Sequence, residues 1–352
     1  MSDISAIDAN FKVETNIQKE DIRFYDVRQE PFKIYGVYYD SGKFMRLPES
    51  VAQTVSKDVI RLYAHTAGGR VRFKTNSPYV AIHAKLPVIY KMPHMAWTGS
   101  AGFDLYADGQ YGGTFVPPYD YRDGYESCID FESAQMREIT IHFPLYSEVS
   151  EVYIGVSNTA TIEAPEPYTV EKPIVYYGSS ITQGACASRP GNAYQNIISR
   201  RLSCDHINLG FSGGAKGETE IAEYISGLDM SIFVYDYDYN ALSVKLLQDT
   251  HEKMFKCIRA AHPEIPIVMM SRPSYYLNDE EQQRLEVIKT TYQNAKANGD
   301  KNVYMIEGRT LMEFAENEGT VDGCHPNDLG FASMAKVLGD VLKNILQKKQ
   351  PC

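Results

Sequence analysis

The sequence contains no run of 18 apolar residues, so no segment reads as a membrane span. It has no basic excess either: 35 Lys and Arg stand against 45 Asp and Glu, a net charge of −10. A surface of that sign repels phosphate backbones, which argues against nucleic acid as a partner. The opening MSDISAIDANFKVETNIQKED has neither a basic start nor an apolar core. The chain as given therefore carries no secretory signal and reads as cytoplasmic, unless such a signal was trimmed away. The six cysteines, at 128, 186, 204, 257, 324 and 352, form no CxxC pair and read as scattered, mostly buried thiols. HExxH is begun by His251 and Glu252 but not completed, because Phe255 stands where the second histidine belongs. Neither a metal nor a cofactor is expected. Tryptophan occurs once, whereas tyrosine occurs 26 times. So many tyrosines suit core and sheet packing, with sugar-facing surfaces as the alternative.

What is present divides into two textures. A length of 352 residues is about twice that of an ordinary single domain. From about 30 to 160 the pattern has period 2 with turn punctuation. Val71–Thr75 and Val80–Leu86 read as strands joined by a short turn at Asn76-Ser77-Pro78, and Phe103–Tyr106 before Asp108-Gly109 reads as a further hairpin. Ile139–Phe143 and Val152–Val156 continue the alternation. No long amphipathic helix is visible here, and the expectation is an all-β sandwich of jelly-roll type.

Beyond Pro165-Glu166-Pro167 the rhythm changes. Short apolar runs at 174–177, 206–209, 232–235, 266–270 and 303–306 alternate with helical stretches. Leu247, Met254, Ile258 and Ala261 line one helix face; Leu285, Ile288, Tyr292 and Ala295 line another that stops at Asn298-Gly299. Met334, Val337, Val341 and Ile345 mark the last helix. Such βαβ units predict a doubly wound, five-stranded parallel sheet of flavodoxin-like α/β class. The expected division is 1–168 for the sandwich and 169–352 for the α/β domain.

In an open parallel sheet ligands bind beyond the carboxyl ends of the strands, so the residues after each run carry the chemistry. The first run is followed by Gly178-Ser179-Ser180-Ile181-Thr182-Gln183-Gly184, a serine on a tight strand-to-helix turn. The glycine spacing does not suit a phosphate loop, and no Gly-Lys-Ser/Thr follows. Gly210-Phe211-Ser212-Gly213-Gly214 allows backbone N–H groups to approach a ligand, and Asn240 in Asp236-Tyr237-Asp238-Tyr239-Asn240 offers an amide to an oxyanion. Asp322 and His325 stand three apart just before the last helix, a spacing that lets a carboxylate orient an imidazole. Each segment alone has a plain structural reading as turn, loop, cap or chance pair. Their joint occurrence in this order, each at a strand's carboxyl end, points to serine-hydrolase chemistry.

This order resembles the SGNH, or GDSL-like, hydrolase superfamily over about 174–346. The resemblance implies Ser180 as nucleophile, His325 as base and Asp322 as its orienting carboxylate. It implies an oxyanion hole from Ser180, Gly213 and Asn240, with Gly214 a neighbouring candidate. Ser179 replaces the usual Asp before the nucleophile, and Asp238-Tyr239-Asn240-Ala241 replaces Gly-x-Asn-Asp. Gly102-Phe103-Asp104-Leu105-Tyr106, after Met92-Pro93-His94-Met95, is similar to the GxDLY domain that precedes certain esterases. Together these imply a two-domain serine esterase removing a short acyl group, acetyl above all, from a carbohydrate through an acyl-serine intermediate. Arg189, Tyr237, Tyr239 and Arg272 adjoin strand ends and are candidates for the substrate pocket. His94 and Asp104 are candidates for the cleft border, with burial inside the sandwich as the alternative. The rival readings are a lipid acylhydrolase or thioesterase on the same triad, an inactive glycan-binding relative, and a flavin or nucleotide binder. The last of these leaves Asp322 and His325 without a task. The oligomeric state is not legible.

Overall fold

The computed structural model describes residues 13–88 and 90–348; residues 1–12 of the opening stretch and Cys352 lie outside them. The five apolar runs form a parallel sheet in the order Cys204–Gly210, Val170–Gly178, Ile232–Asp236, Ile267–Met270, Val303–Ile306. Successive side chains on a strand point to opposite faces. Val175 and Tyr177 accordingly enter one core, and Ile174 and Tyr176 the other. The first face is covered by the helices Thr219–Ser226, Val244–Ala261 and Asp279–Ala297, the second by Tyr194–Leu202 and Asp328–Lys348. Of the positions expected to line these helices, Ala261 is exposed at the last residue of its helix. Asp279–Ala297 opens on a capping box between Asn278 and Glu281 and ends at Asn298-Gly299, as its sequence predicts. The strand order reverses at Val170–Gly178, which places the ligand crevice beyond its carboxyl end.

The first half is a β-sandwich. One antiparallel sheet runs Ile22–Asp26, Glu151–Ser157, Tyr79–Lys85, Gly124–Asp130. The other runs Ile162–Glu163, Arg70–Thr75, Arg137–His142, Phe103–Ala107, Gln110–Phe115, with Lys33–Tyr35 also on Arg70–Thr75. Val71, Phe73, Val80, Ile82, Leu105, Ile141 and Ile154 meet in the core between them. Asp108 and Gly109, both at positive φ, close a true hairpin. The strands flanking Asn76-Ser77-Pro78 do not pair with each other. One joins each sheet, so that turn arches across the sandwich.

Two short helices, Glu49–Val55 and Lys57–Leu62, interrupt the β-rich half. Around them Met45, Leu47, Ala52, Val59 and Leu62 pack into the core of the parallel sheet rather than into the sandwich. No helix among the described residues is long and apolar enough to cross a membrane.

Candidate active site

Ser180 is placed by the abrupt end of a strand. Val170–Gly178 stops, Ser179 caps the next helix by accepting the Ile181 N–H at 3.2 Å, and Ser180 opens the turn Ser180–Gln183. Gly178 permits this: a Cβ there would lie 2.0 Å from Asp236 Oδ1 and 2.2 Å from Thr182 Oγ1. Ser180 is 8% exposed, and the Tyr146 hydroxyl donates to its carbonyl at 3.2 Å.

His325 arrives from 145 positions away, on a loop pinned by the Val321 N–H bond to the His325 carbonyl and by the Asn327 N–H bond to the Gly319 carbonyl. Its Nε2 lies 2.9 Å from Ser180 Oγ, and its Nδ1 lies 2.8 Å from Asp322 Oδ2. An ionised carboxylate only accepts, so Nδ1 carries the proton and Nε2 is left to accept from the hydroxyl. The other Asp322 oxygen accepts the N–H groups of His325, at 2.8 Å, and Cys324, at 3.1 Å. Partial burial would raise this carboxyl, but those N–H groups and the imidazole outweigh it and hold the pKa down to about 2. Asp322 is therefore an anion across the physiological range.

The donors expected for an oxyanion differ in how far they are already engaged. The Ser180 N–H belongs to the first turn of a helix, where no intrahelical acceptor exists. Gly213 sits at φ +69, and its N–H has no acceptor among the described residues. Gly214 donates to the Phe211 carbonyl at 2.9 Å, so of the two neighbouring glycines Gly213 is the one with a free donor. Asn240 Nδ2 donates one hydrogen to the same carbonyl at 2.9 Å, which fastens it to the Gly210–Gly213 loop and leaves its second hydrogen unclaimed.

The family model for the GDSL-like lipase/acylhydrolase family matches residues 171–343, and the model for the N-terminus of SGNH-hydrolase-type esterases, GxDLY, matches 22–162. A GDSL-like lipase from Bacteroides ovatus is 32% identical, covering 93% of this chain and 98% of its own, with a TM-score of 0.83. The chain belongs to the GDSL-like lipase/acylhydrolase family. It is an ester hydrolase. Two more distant structures share its fold. The salicylyl-acyltransferase SsfX3 from a tetracycline biosynthetic pathway is 20% identical (94% of this chain, 99% of that one, TM-score 0.76). A family two carbohydrate esterase from Clostridium thermocellum, in complex with cellohexaose, is 16% identical (81% and 94%, TM-score 0.60). No curated protein matches the chain.

The GDSL-like hydrolase departs from expectation at several pocket candidates. Tyr237 is a core residue, 1% exposed, with its hydroxyl 2.8 Å from Thr250 Oγ1 and its ring stacked near His251. Strand alternation explains this, since Tyr235 and Tyr237 continue the inward face of Ile232–Asp236. Arg272 is buried and held by Asp238 and by Glu281 at 2.7 Å, its guanidinium stacked 4.2 Å from the Tyr239 ring. Arg189 is not a free cation either: it pairs with Asp104 at 3.0 Å and with the Tyr106 hydroxyl. Tyr239 is half-buried and lies near Cys324, the chain neighbour of His325. His94 is exposed, its ring 5.4 Å from that of His325, so of the five candidates these two adjoin the triad.

Asp104 lies not at a cleft border but fully buried at the junction of the two halves. Alternation accounts for its motif: Phe103 and Leu105 fill the sandwich core, while Asp104 and Tyr106 face the loop after Ser180–Gln183. Asp104 accepts from His142 at 2.8 Å, Arg189 at 3.0 Å and the Gly191 N–H at 2.7 Å. Burial would lift its carboxyl, but these partners hold it below the usual range.

Sequence reading missed Arg46. It is 2% exposed and donates to the carbonyls of Leu62, His65, Asn208 and Gly210. The last two end the strand that leads into the Gly213 loop. Gln183, also missed, accepts the Ser212 N–H at 3.0 Å in the same loop. A cavity of about 440 Å³ is bounded by Phe255, Arg259, Asn298 and Asp300 and includes none of Ser180, Asp322 and His325.

Proposed function

We propose that the enzyme removes a short acyl group, acetyl, from a carbohydrate through an acyl-serine intermediate on Ser180. The observation that carries the reading is the continuous relay of hydroxyl, imidazole and carboxylate at 2.9 and 2.8 Å. His325 Nε2 takes the Ser180 proton as Oγ attacks the ester carbonyl. The tetrahedral oxyanion is held by the N–H groups of Ser180 and Gly213 and by the Asn240 amide, each donor lowering the barrier by on the order of 3 kcal/mol. His325 then protonates the leaving alcohol, and the same nitrogen later deprotonates water to release the acid. Asp322 keeps the productive tautomer throughout.

Support for the substrate class comes from beside the triad and from the relatives. Half-buried Tyr239 near Cys324 and the exposed ring of His94 beside His325 offer ring surface suited to sugar faces. Among the fold relatives are the cellohexaose-bound carbohydrate esterase and an acetyl xylan esterase from Butyrivibrio proteoclasticus. The test is chain-length preference. With 4-nitrophenyl esters, kcat/KM for acetyl is expected to exceed that for octanoyl by at least about tenfold, and acetylated xylan should release acetate. Faster turnover of octanoyl ester, with no acetate from xylan, would replace this reading by a lipid acylhydrolase.

A further inference from the structure

The mechanism uses His325, whereas the two groups beside it take no part in the acyl transfer. His94, on the turn at 93–95, and Cys186, just after the nucleophile turn, place ligand atoms within 4.8 Å of each other and of His325. The Cys186 thiol donates to the His94 carbonyl at 3.3 Å, so the two segments are tied together. The two imidazoles face one another with their ring planes tilted by 41°.

We propose that His94, Cys186 and His325 form a zinc site whose occupation switches the esterase off. The inference rests on His325 being the catalytic base. Two imidazoles and one thiolate are a borderline-soft donor set of the kind zinc selects, with water as fourth ligand. Tetrahedral zinc holds such atoms about 3.5 Å apart, so the cluster must contract by roughly 1 Å. The exposed His94 side chain has the freedom to supply that movement. Asp322 already does for His325 what a carboxylate does for a metal-bound histidine: it accepts the Nδ1 proton and aims the Nε2 lone pair outward. On binding, zinc takes that lone pair, Cys186 gives its proton to solvent and coordinates as thiolate, and Ser180 keeps its proton with no acceptor. No electron is transferred. Without metal, burial and the neighbouring Asp322 push the thiol up to about 12, so it stays neutral beside the base.

The test uses the full chain and two readouts. Cobalt(II) is expected to give a thiolate-to-cobalt charge-transfer band that saturates at one ion per chain, is absent in Cys186→Ser and is displaced by zinc. Cys324→Ser should keep the band. Zinc is expected to stop 4-nitrophenyl acetate hydrolysis over the same concentrations, reversibly on chelation. Cys186→Ser should hydrolyse the ester at the wild-type rate yet need more than about tenfold more zinc for inhibition, and His94→Gln should weaken cobalt binding by a similar factor. No band in the wild type, or equal zinc sensitivity in Cys186→Ser, overturns the site. A band with undiminished esterase activity overturns its inhibitory role. The cobalt result stands whether or not Ser180 is the nucleophile, so the two readings fail separately.

Discussion

Asp322→Asn is expected to lower kcat for ester hydrolysis by about 10⁴-fold while leaving KM and the melting temperature nearly unchanged. The two oxygens of Asp322 have separate tasks. Oδ1 holds the loop through the N–H groups of Cys324 and His325, and an asparagine oxygen in that place still accepts both. Oδ2 accepts from the imidazole, and there the asparagine presents an N–H group instead. The ring then holds the other tautomer, with its proton on Nε2, and cannot take the Ser180 proton. The loop survives and the base is lost. Because the wild-type carboxyl is held down to about 2, no limb of the pH profile above about pH 4 belongs to it. A fall in kcat of less than about tenfold, measured beside an unchanged melting curve, would show that this carboxylate does not orient the base.

Arg46→Met is expected to destabilise the protein by on the order of 3 kcal/mol and to reduce kcat as well. Arg46 is a buried cation that donates to four carbonyls, two of them, Asn208 and Gly210, at the root of the Gly213 loop. Burial pulls its pKa down to about 9, so it remains charged at neutral pH. Methionine fills similar volume but leaves four carbonyls without their donor. Arg46→Lys is expected to lose nearly as much, since an ammonium cannot span the fork from Leu62 and His65 to Gly210. Denaturant unfolding reads both. A Lys variant as stable as wild type would mean that charge, not the fork, holds this junction.

The contrast between Arg46 and Ser180 shows what was legible. The parallel strands announce themselves because both faces are covered, so Ile174–Tyr177 and Ile232–Tyr235 are apolar without a break. Ser180, Gly213 and Asn240 follow the first three parallel strands, whose carboxyl ends share one edge of the sheet, and His325 joins them from the loop before the last helix. Arg46 gives no local signal: its decisive acceptors lie 162 and 164 positions away, in the other half of the chain. The short helices at 49–62 were hidden for the same reason, since their apolar side answers to the parallel sheet and not to the sandwich around them in sequence. Tyr237 was readable in principle, because period-2 alternation from Tyr235 turns it inward. Arg189 and Arg272 illustrate a different limit. A cation after a strand end looks free until its carboxylates, Asp104, Asp238 and Glu281, are brought in by the fold.

The proposed catalysis turns on a covalent bond at one oxygen, Ser180 Oγ. Treating the protein with a fluorophosphonate and measuring its intact mass and peptide map tests this most directly. One phosphonyl group on Ser180 in the wild type, none in Ser180→Ala, and sharply slower labelling in His325→Ala are the results predicted. An unlabelled wild-type chain, or a Ser180→Ala variant that still takes the group at another serine and still hydrolyses acetyl ester, would contradict it.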